Sequence, residues 1–168
     1  MESADLVKDF RDAMSRFPGA VTAITTLDGD APVGLIATAV CSLSAEPPSL
    51  IACVNRSSST HDIILRSGFF AVNVLSGELS NVLEQFSTRR GAERFDGLTW
   101  TAGVTGAPLL AGAHLAFDCE VANVHDGFSH SIIVGTVRAI EQHASLEAHA
   151  LLWQGRSLHR AIEIEKAE

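Results

Sequence analysis

Between positions 38 and 60 the chain collects residues suited to holding a flat, anionic ligand: TAVCSLSAEPPSLIACVNRSSST. Thr38, Ala39, Cys41, Ser42 and Ser44 are small or hydroxylated, so none has the bulk to keep a ligand off the backbone. Further on, Asn55-Arg56 leads into Ser57-Ser58-Ser59-Thr60, a hydroxyl run opening a helix expected over 61–66. Ser or Thr at a helix start caps free N–H groups, and that end of a helix attracts anions. One end of the stretch therefore suits a ring and the other a phosphate. The same residues also fit an ordinary strand, turn and strand followed by a capped helix.

The 168 residues carry a net charge of −8. That balance argues against nucleic acid or an anionic membrane as partner, and an anionic ligand would need local cations. Arg56, Arg66, Arg89, Arg90 and Arg94 fall close together and are the candidates, with solvated surface charge as the alternative for each. There is no G-x-G-x-x-G after a strand and no G-x-x-x-x-G-K-[ST], so a nicotinamide nucleotide, if used, is not held by a Rossmann unit. The seven histidines form no cluster with cysteine at ligand spacing, and no metal is expected. Cys41, Cys53 and Cys119 lie in apolar or β context without a C-x-x-C pair, which suggests buried, inert thiols and a reducing cytoplasm.

Several elements must position these groups. Leu6, Phe10, Met14 and Phe17 recur at helical spacing, so residues 4–17 are expected to be an amphipathic helix stopped by Pro18-Gly19. Strands are expected over 20–27 and 32–40, joined at Asp28-Gly29-Asp30. Pro47-Pro48 reads as a rigid turn before a strand over 50–54. Next come a strand over 69–75, a helix over 78–86, a polar loop over 87–96 and a short strand over 98–102. Long strands over 113–125 and 131–142 are linked by Asp126-Gly127-Phe128-Ser129, and a last strand covers 150–153. The length suits one domain over 1–168. No apolar run is long enough for a membrane span, and the acidic start lacks the layout of a signal peptide. Antiparallel hairpins with peripheral helices suggest a closed β-barrel.

These segments resemble, in order, the short-chain NAD(P)H:flavin reductase family. The resemblance is carried by Phe10-Arg11-Asp12-Ala13-Met14, by 21–26, by Ala37-Thr38-Ala39-Val40-Cys41-Ser42-Leu43-Ser44 with Pro47-Pro48, and by Asn55-Arg56-Ser57. It continues through Phe70-Ala71-Val72-Asn73-Val74-Leu75, Glu93-Arg94-Phe95, Gly106-Ala107-Pro108-Leu109-Leu110, Phe117-Asp118-Cys119 and Ser129-His130-Ser131. It implies a mainly β fold with peripheral helices, a Greek-key split β-barrel of the FMN-binding type, usually a homodimer. It also implies NADH- or NADPH-dependent reduction of FMN or FAD, with reduced flavin passed to a separate monooxygenase.

By the same resemblance the flavin ring would lie along Thr38, Ala39, Val40, Cys41 and Ser42, with Ser44 close by. Asn55, Ser59 and Thr60 would face the ribityl chain and phosphate. Relatives often have Asn-Ser where this chain has Thr38-Ala39, which affects one side-chain contact and not the backbone ones. Phe86 would close the far side of the ligand or simply belong to the core. His130 would meet the nicotinamide nucleotide, or serve as a structural hairpin histidine. Trp153, Gln154, Gly155 and Arg156 match a segment that touches the dinucleotide in relatives. Two other functions remain open on the same barrel: reduction of another acceptor such as a cobalt corrin, and flavin binding without catalysis.

Overall fold

The computed structural model describes residues 3–142 and 149–163. The chain opens with helix α1 (Ser3–Ser15), then β1 (Gly19–Ala20), β2 (Thr22–Asp28) and β3 (Ala31–Ala37). Next are β4 (Val40–Ala45), β5 (Pro48–Asn55), α2 (Ser59–Ser67), β6 (Phe69–Val74) and α3 (Ser80–Thr88). Short strands β7 (Trp100–Ala102) and β8 (Pro108–Leu110) precede the long hairpin of β9 (Leu115–Gly127) and β10 (His130–Gln142). The hairpin β11 (Leu151–Gln154) and β12 (Ser157–Arg160) follows.

Seven strands form one antiparallel sheet in the order β3-β2-β6-β9-β10-β5-β4. Side chains alternate between sheet faces, and β5 buries Leu50, Ala52 and Val54 in turn. These converge with Ile24, Phe70, Val72, Cys119 and Ile133 in one core cluster, against which Leu35 of β3 and Val40 of β4 also pack. Inner faces from both edges of the sheet meet in that cluster, so the sheet is rolled into a barrel. Its edge strands β3 and β4 are consecutive in the chain, joined through Thr38-Ala39, and no ladder pairs them. The barrel is therefore split at Thr38-Ala39. Phe70 fills its centre, and burying such a side chain contributes about 1.5–3 kcal/mol. Gly135 makes the room, because a Cβ there would come within 2.6 Å of Phe70 Cζ.

The opposite face of β2 carries Val21 and Ala23 into a second cluster with Val82 and Phe86 of α3, and with Phe95 of a 3-10 turn over Gly91–Phe95. This packing lays α3 and the turn beside β3. Buried Asn73 ties β6 to its surroundings. Its Nδ2 donates to Ala23 O at 3.2 Å and Thr25 Oγ1 at 3.0 Å, and its Oδ1 accepts from Leu110 N at 2.8 Å.

Several features differ from the sequence expectations: β8 was not expected, and β12 follows the strand expected to be last. Strand β4 was expected only in the alternative reading of a strand, turn and strand: it is an edge strand, exposed along most of its length, so burial imposes no alternation on its small residues. The expected polar loop over 87–96 instead ends α3 and forms the 3-10 turn. Helix α1 is amphipathic as expected, but its apolar stripe of Leu6, Phe10 and Met14, continued by Phe17, is exposed. Its ties to the body are polar: Gly155 N donates to Ser15 O at 2.6 Å, Gln154 Nε2 to Arg16 O at 3.1 Å, and Arg156 pairs with Asp12 at 2.7 Å. Among the described residues no helix is long and apolar enough to cross a membrane.

Candidate functional site

A cavity of about 450 Å³ opens at the split of the barrel, within the range of small-molecule sites. Its floor is the end of β3 and the link, Leu35 to Ala39. Cys53 and Asn55 from β5 and His130 from β10 make one wall; Phe86 and Ser87 from α3 and Arg94 from the 3-10 turn make the other. Ser58 lies between the walls. Small side chains at Ala37, Thr38 and Ala39 leave backbone accessible, as a planar ring requires. Cys53 N donates to Ala39 O at 2.9 Å, which fixes the link against β5.

The polar groups are placed by local structure. Ser58 is the N-cap of α2, and its side chain accepts from Thr60 N. The helix begins at Ser59, two residues earlier than expected, so the capping hydroxyl is Ser58 and not one further along. Asn55 Oδ1 accepts from the N–H and hydroxyl of Ser57, both at 2.8 Å, which turns the chain from β5 toward the helix. His130 opens β10 directly across from Asn55, and its Nδ1 stands 2.9 Å from Ser129 Oγ. Phe86 is both core and cavity wall: it stacks at a tilt on Phe95, with centroids 5.2 Å apart, and Arg94 Cζ lies 6.0 Å from its ring centre.

Arg94 is the cation of the cavity. Arg56, Arg66 and Arg89 are paired with Asp126, Asp28 and Asp96 respectively. Arg94 has no carboxylate partner among the described residues. Its Nη1 donates to Gly34 O and its Nε to Arg89 O at 3.0 Å. Burial pushes its pKa below the ordinary value, and neighbouring Arg90 adds to the shift. A half-buried cation in this state favours an anion brought into the cavity. The donor set, the small-residue floor and the helix end together fit a flavin with its phosphate.

The remaining expected site residues lie elsewhere. Val40, Cys41, Ser42 and Ser44 line a second, mainly apolar cavity of about 340 Å³ with Leu50, Val72, Phe117 and Val137. Ser59 is exposed. Thr60 is 1% exposed, and its hydroxyl donates to Gly34 O at 3.2 Å. Trp153 packs on the cluster under α3, while Gln154, Gly155 and Arg156 are the residues tied to α1. None of these four lines the larger cavity. The cysteines also differ from expectation: Cys119 is buried and its thiol is pushed up to about 12, but Cys41 is exposed and Cys53 half-buried. Among the described residues no group of three His, Cys, Asp or Glu side chains could hold a metal ion.

Ser58, Ser87 and Cys53 were not singled out from sequence. The hydroxyl run pointed to Ser58, given the true helix start; Ser87 depends on how α3 packs, which periodicity does not reveal.

The chain is similar to proteins of known kind over nearly all of its length. The FMN reductase (NADH) RutF of Stutzerimonas stutzeri (strain A1501) is 40% identical over 159 residues, 94% of this chain and 90% of that protein. The crystal structure of nitrilotriacetate monooxygenase component B from Mycobacterium thermoresistibile superposes with a TM-score of 0.90 at 30% identity, covering 99% of this chain and 92% of that one. The NADH:FAD oxidoreductase SgcE6 of Streptomyces globisporus C-1027, in complex with NAD and FAD fragments, gives a TM-score of 0.86 at 27% identity, with 99% and 98% coverage. The flavin reductase like domain model matches residues 14–161, and the chain belongs to that family.

Proposed function

We propose that this protein is an NADH-dependent flavin reductase that hands reduced FMN or FAD to a separate monooxygenase. The observation that carries the reading is the cavity at the barrel split, with a small-residue floor, an uncompensated Arg94 and His130 facing across it. The relatives support the reaction class: one is named an NADH-dependent FMN reductase, one a monooxygenase component B, one an NADH:FAD oxidoreductase.

When bound, the flavin supplies the ring that accepts hydride from the reduced nicotinamide. The chain supplies position and polarity. Thr38 and Ala39 let the ring approach the backbone. Ser58, at the capped start of α2, and Arg94 meet anionic groups. His130 offers a ring nitrogen to the nucleotide from the opposite wall. Phe86 excludes water from the cavity's inner side.

The whole chain, 1–168, acts as one domain in this reading, and as a homodimer. Support for the dimer comes from Leu6, Phe10, Met14 and Phe17, apolar and exposed, and from the apolar cavity behind Val40, both of which a second copy would cover. Val40, Cys41, Ser42, Ser44 and the Trp153–Arg156 segment would then join the site from that interface. Three free cysteines accord with a reducing cytoplasm. NADPH is a second donor to be tried beside NADH.

The test is NAD(P)H oxidation by purified protein, with and without added FMN or FAD. Flavin-dependent oxidation is expected. No stimulation by either flavin with either nucleotide refutes the assignment, and flavin binding without turnover would leave a carrier protein instead. Light scattering that gives a monomer at micromolar concentration refutes the dimer.

A further inference from the structure

Behind His130 runs a chain of polar groups, centred on buried His61 and Ser131, that the cavity does not use. His61, in the first turn of α2, is 6% exposed. Its Nδ1 stands 2.7 Å from Asp62 Oδ1 and its Nε2 2.9 Å from Ser131 Oγ. Ser131 is 3% exposed and follows His130 on β10. Ser131 Oγ also accepts from Arg56 Nε at 3.3 Å. The same arginine donates to Asp126 Oδ1 at 2.6 Å, and its backbone N–H donates to Ser129 O at 3.0 Å.

The order Ser131, His61, Asp62 has the connectivity of a hydrolytic triad. Ser131 Oγ lines neither cavity, however, and is too buried to meet a substrate carbonyl. The donor count gives another role. With Arg56 donating into Ser131 Oγ, the serine hydroxyl donates to His61 Nε2, and Nδ1–H donates to the Asp62 carboxylate. This arrangement satisfies every partner and fastens the start of β10 to α2.

That fastening bears on the cavity because it adds a side-chain tie at the start of β10, where His130 and Ser131 also pair with Gly127 and Asp126 of β9 and with Asn55 and Val54 of β5. Phe128, at the turn, has a positive φ of 63° and is 93% exposed, so it packs on nothing. Beyond those ladders, the side-chain ties of the tip are the Arg56 contacts, Asp126 Oδ1 accepting from Phe128 N at 3.1 Å, and the His61–Ser131 bond. We propose that His61 is a positioning residue. Through Ser131 it sets His130 against the nucleotide, at a fixed distance from the α2 end that carries Ser58. This rests on the reading of His130 as a nucleotide contact.

The test uses the full chain with added flavin and NADH. His130 ring signals are assigned in nitrogen-labelled protein by their loss in His130→Ala, then followed in His61→Ala and His61→Gln. A glutamine amide reaches the place of Nε2 and keeps the bond to Ser131. Expected are displaced His130 signals in His61→Ala and a loss of kcat/KM for NADH of about 2- to 12-fold, the worth of one hydrogen bond. Flavin affinity should hold within about twofold, and His61→Gln should recover most of the loss. In a His130→Ala background, His61→Ala should cost nothing further, because a residue acting only through His130 has no independent term. Unmoved His130 signals, a kinetic loss that adds fully to that of His130→Ala, or no recovery with glutamine overturns the proposal. Should His61→Ala fail to fold, Ser131→Ala breaks the same bond from the other side and is judged by the same outcomes. Should His130→Ala leave NADH use intact, the nucleotide reading of His130 falls by itself, and the ring signals still decide whether His61 positions it.

Discussion

Replacing Arg94 with glutamine should separate phosphate recognition from ring recognition. The guanidinium has five N–H groups, and the protein uses one on Gly34 O and one on Arg89 O. The rest are available to a ligand, and no carboxylate among the described residues competes for them. A hydrogen bond to a charged group contributes about 1.5–3 kcal/mol, which is about 10- to 160-fold in affinity. Unit charges 4 Å apart at an effective dielectric of about 20 interact by roughly 4 kcal/mol, an upper bound at a half-open site. FMN and FAD should therefore bind Arg94→Gln about 10- to 100-fold more weakly. Riboflavin has the same ring and ribityl chain without phosphate, and its affinity should change by no more than about threefold, near the low end of the worth of one neutral hydrogen bond. Flavin fluorescence titrations on both proteins give the ratio directly. Losing the bonds to Gly34 and Arg89 also loosens the 3-10 turn, but that would weaken both flavins alike. Equal losses for FMN and riboflavin, or no loss for either, would refute the argument that Arg94 meets the phosphate.

Other outcomes follow from the same geometry. His130→Ala should reduce kcat/KM for NADH by about 5- to 150-fold with flavin affinity nearly unchanged; steady-state kinetics beside flavin titration decide it, and a parallel loss of both would make His130 structural. Gly34→Ala should destabilise the protein by roughly 1–3 kcal/mol and weaken flavin binding, because the new methyl would sit 2.8 Å from Ile24 O and 2.9 Å from Phe86 Cε1; thermal melts and titrations on the variant check both. Thiol labelling of the native protein should reach exposed Cys41 first and Cys119 only on unfolding. The Cys119 thiol ionises near 9.0 when unfolded but only at about 12 when folded. Its contribution is thus intact below pH 9 and declines as pH rises from there toward 12, at up to about 1.4 kcal/mol per unit; Cys119→Ala should flatten that part of a stability–pH curve.

The order of elements was legible because the chain punctuates itself. Pro18-Gly19, Asp28-Gly29-Asp30 and Asp126-Gly127-Phe128-Ser129 each lie at a real boundary, and β5 alternates as a half-buried strand should. Strand β4 was legible only as one of two alternatives, since an exposed edge rich in Cys, Ser and Ala satisfies no periodic rule. The site was half legible. Thr38, Ala39, Asn55, Phe86 and His130, named from the sequence, line one cavity. Arg94 emerged from five candidates only when the carboxylate partners of Arg56, Arg66 and Arg89 could be seen and Arg90 proved to lie outside the cavity lining, and pairing across distant segments leaves no trace in local sequence. The buried bond from His61 to Ser131 spans 70 positions and is invisible for the same reason.

The two-residue link at the barrel split explains why the expected ring-binding residues divide into two groups. Strand β3 ends at Ala37 and β4 starts at Val40, so the residues on the two sides of the link belong to different strands that do not pair with each other. Leu35 to Ala39 line the larger cavity, and Val40, Cys41, Ser42 and Ser44 line the smaller, mainly apolar one. A ligand ring lying along the whole run would have to bridge the split, with its edge over β4. Strand β4 is exposed and has no neighbour on its outer side in the single chain. An apolar ring edge left there would face water, so the geometry of the split itself favours an arrangement in which a second copy closes over β4. Measuring flavin affinity across a dilution series tests this step: affinity that falls as the protein is diluted is expected. Constant affinity through a measured dimer-to-monomer transition would show that one chain holds the ring alone.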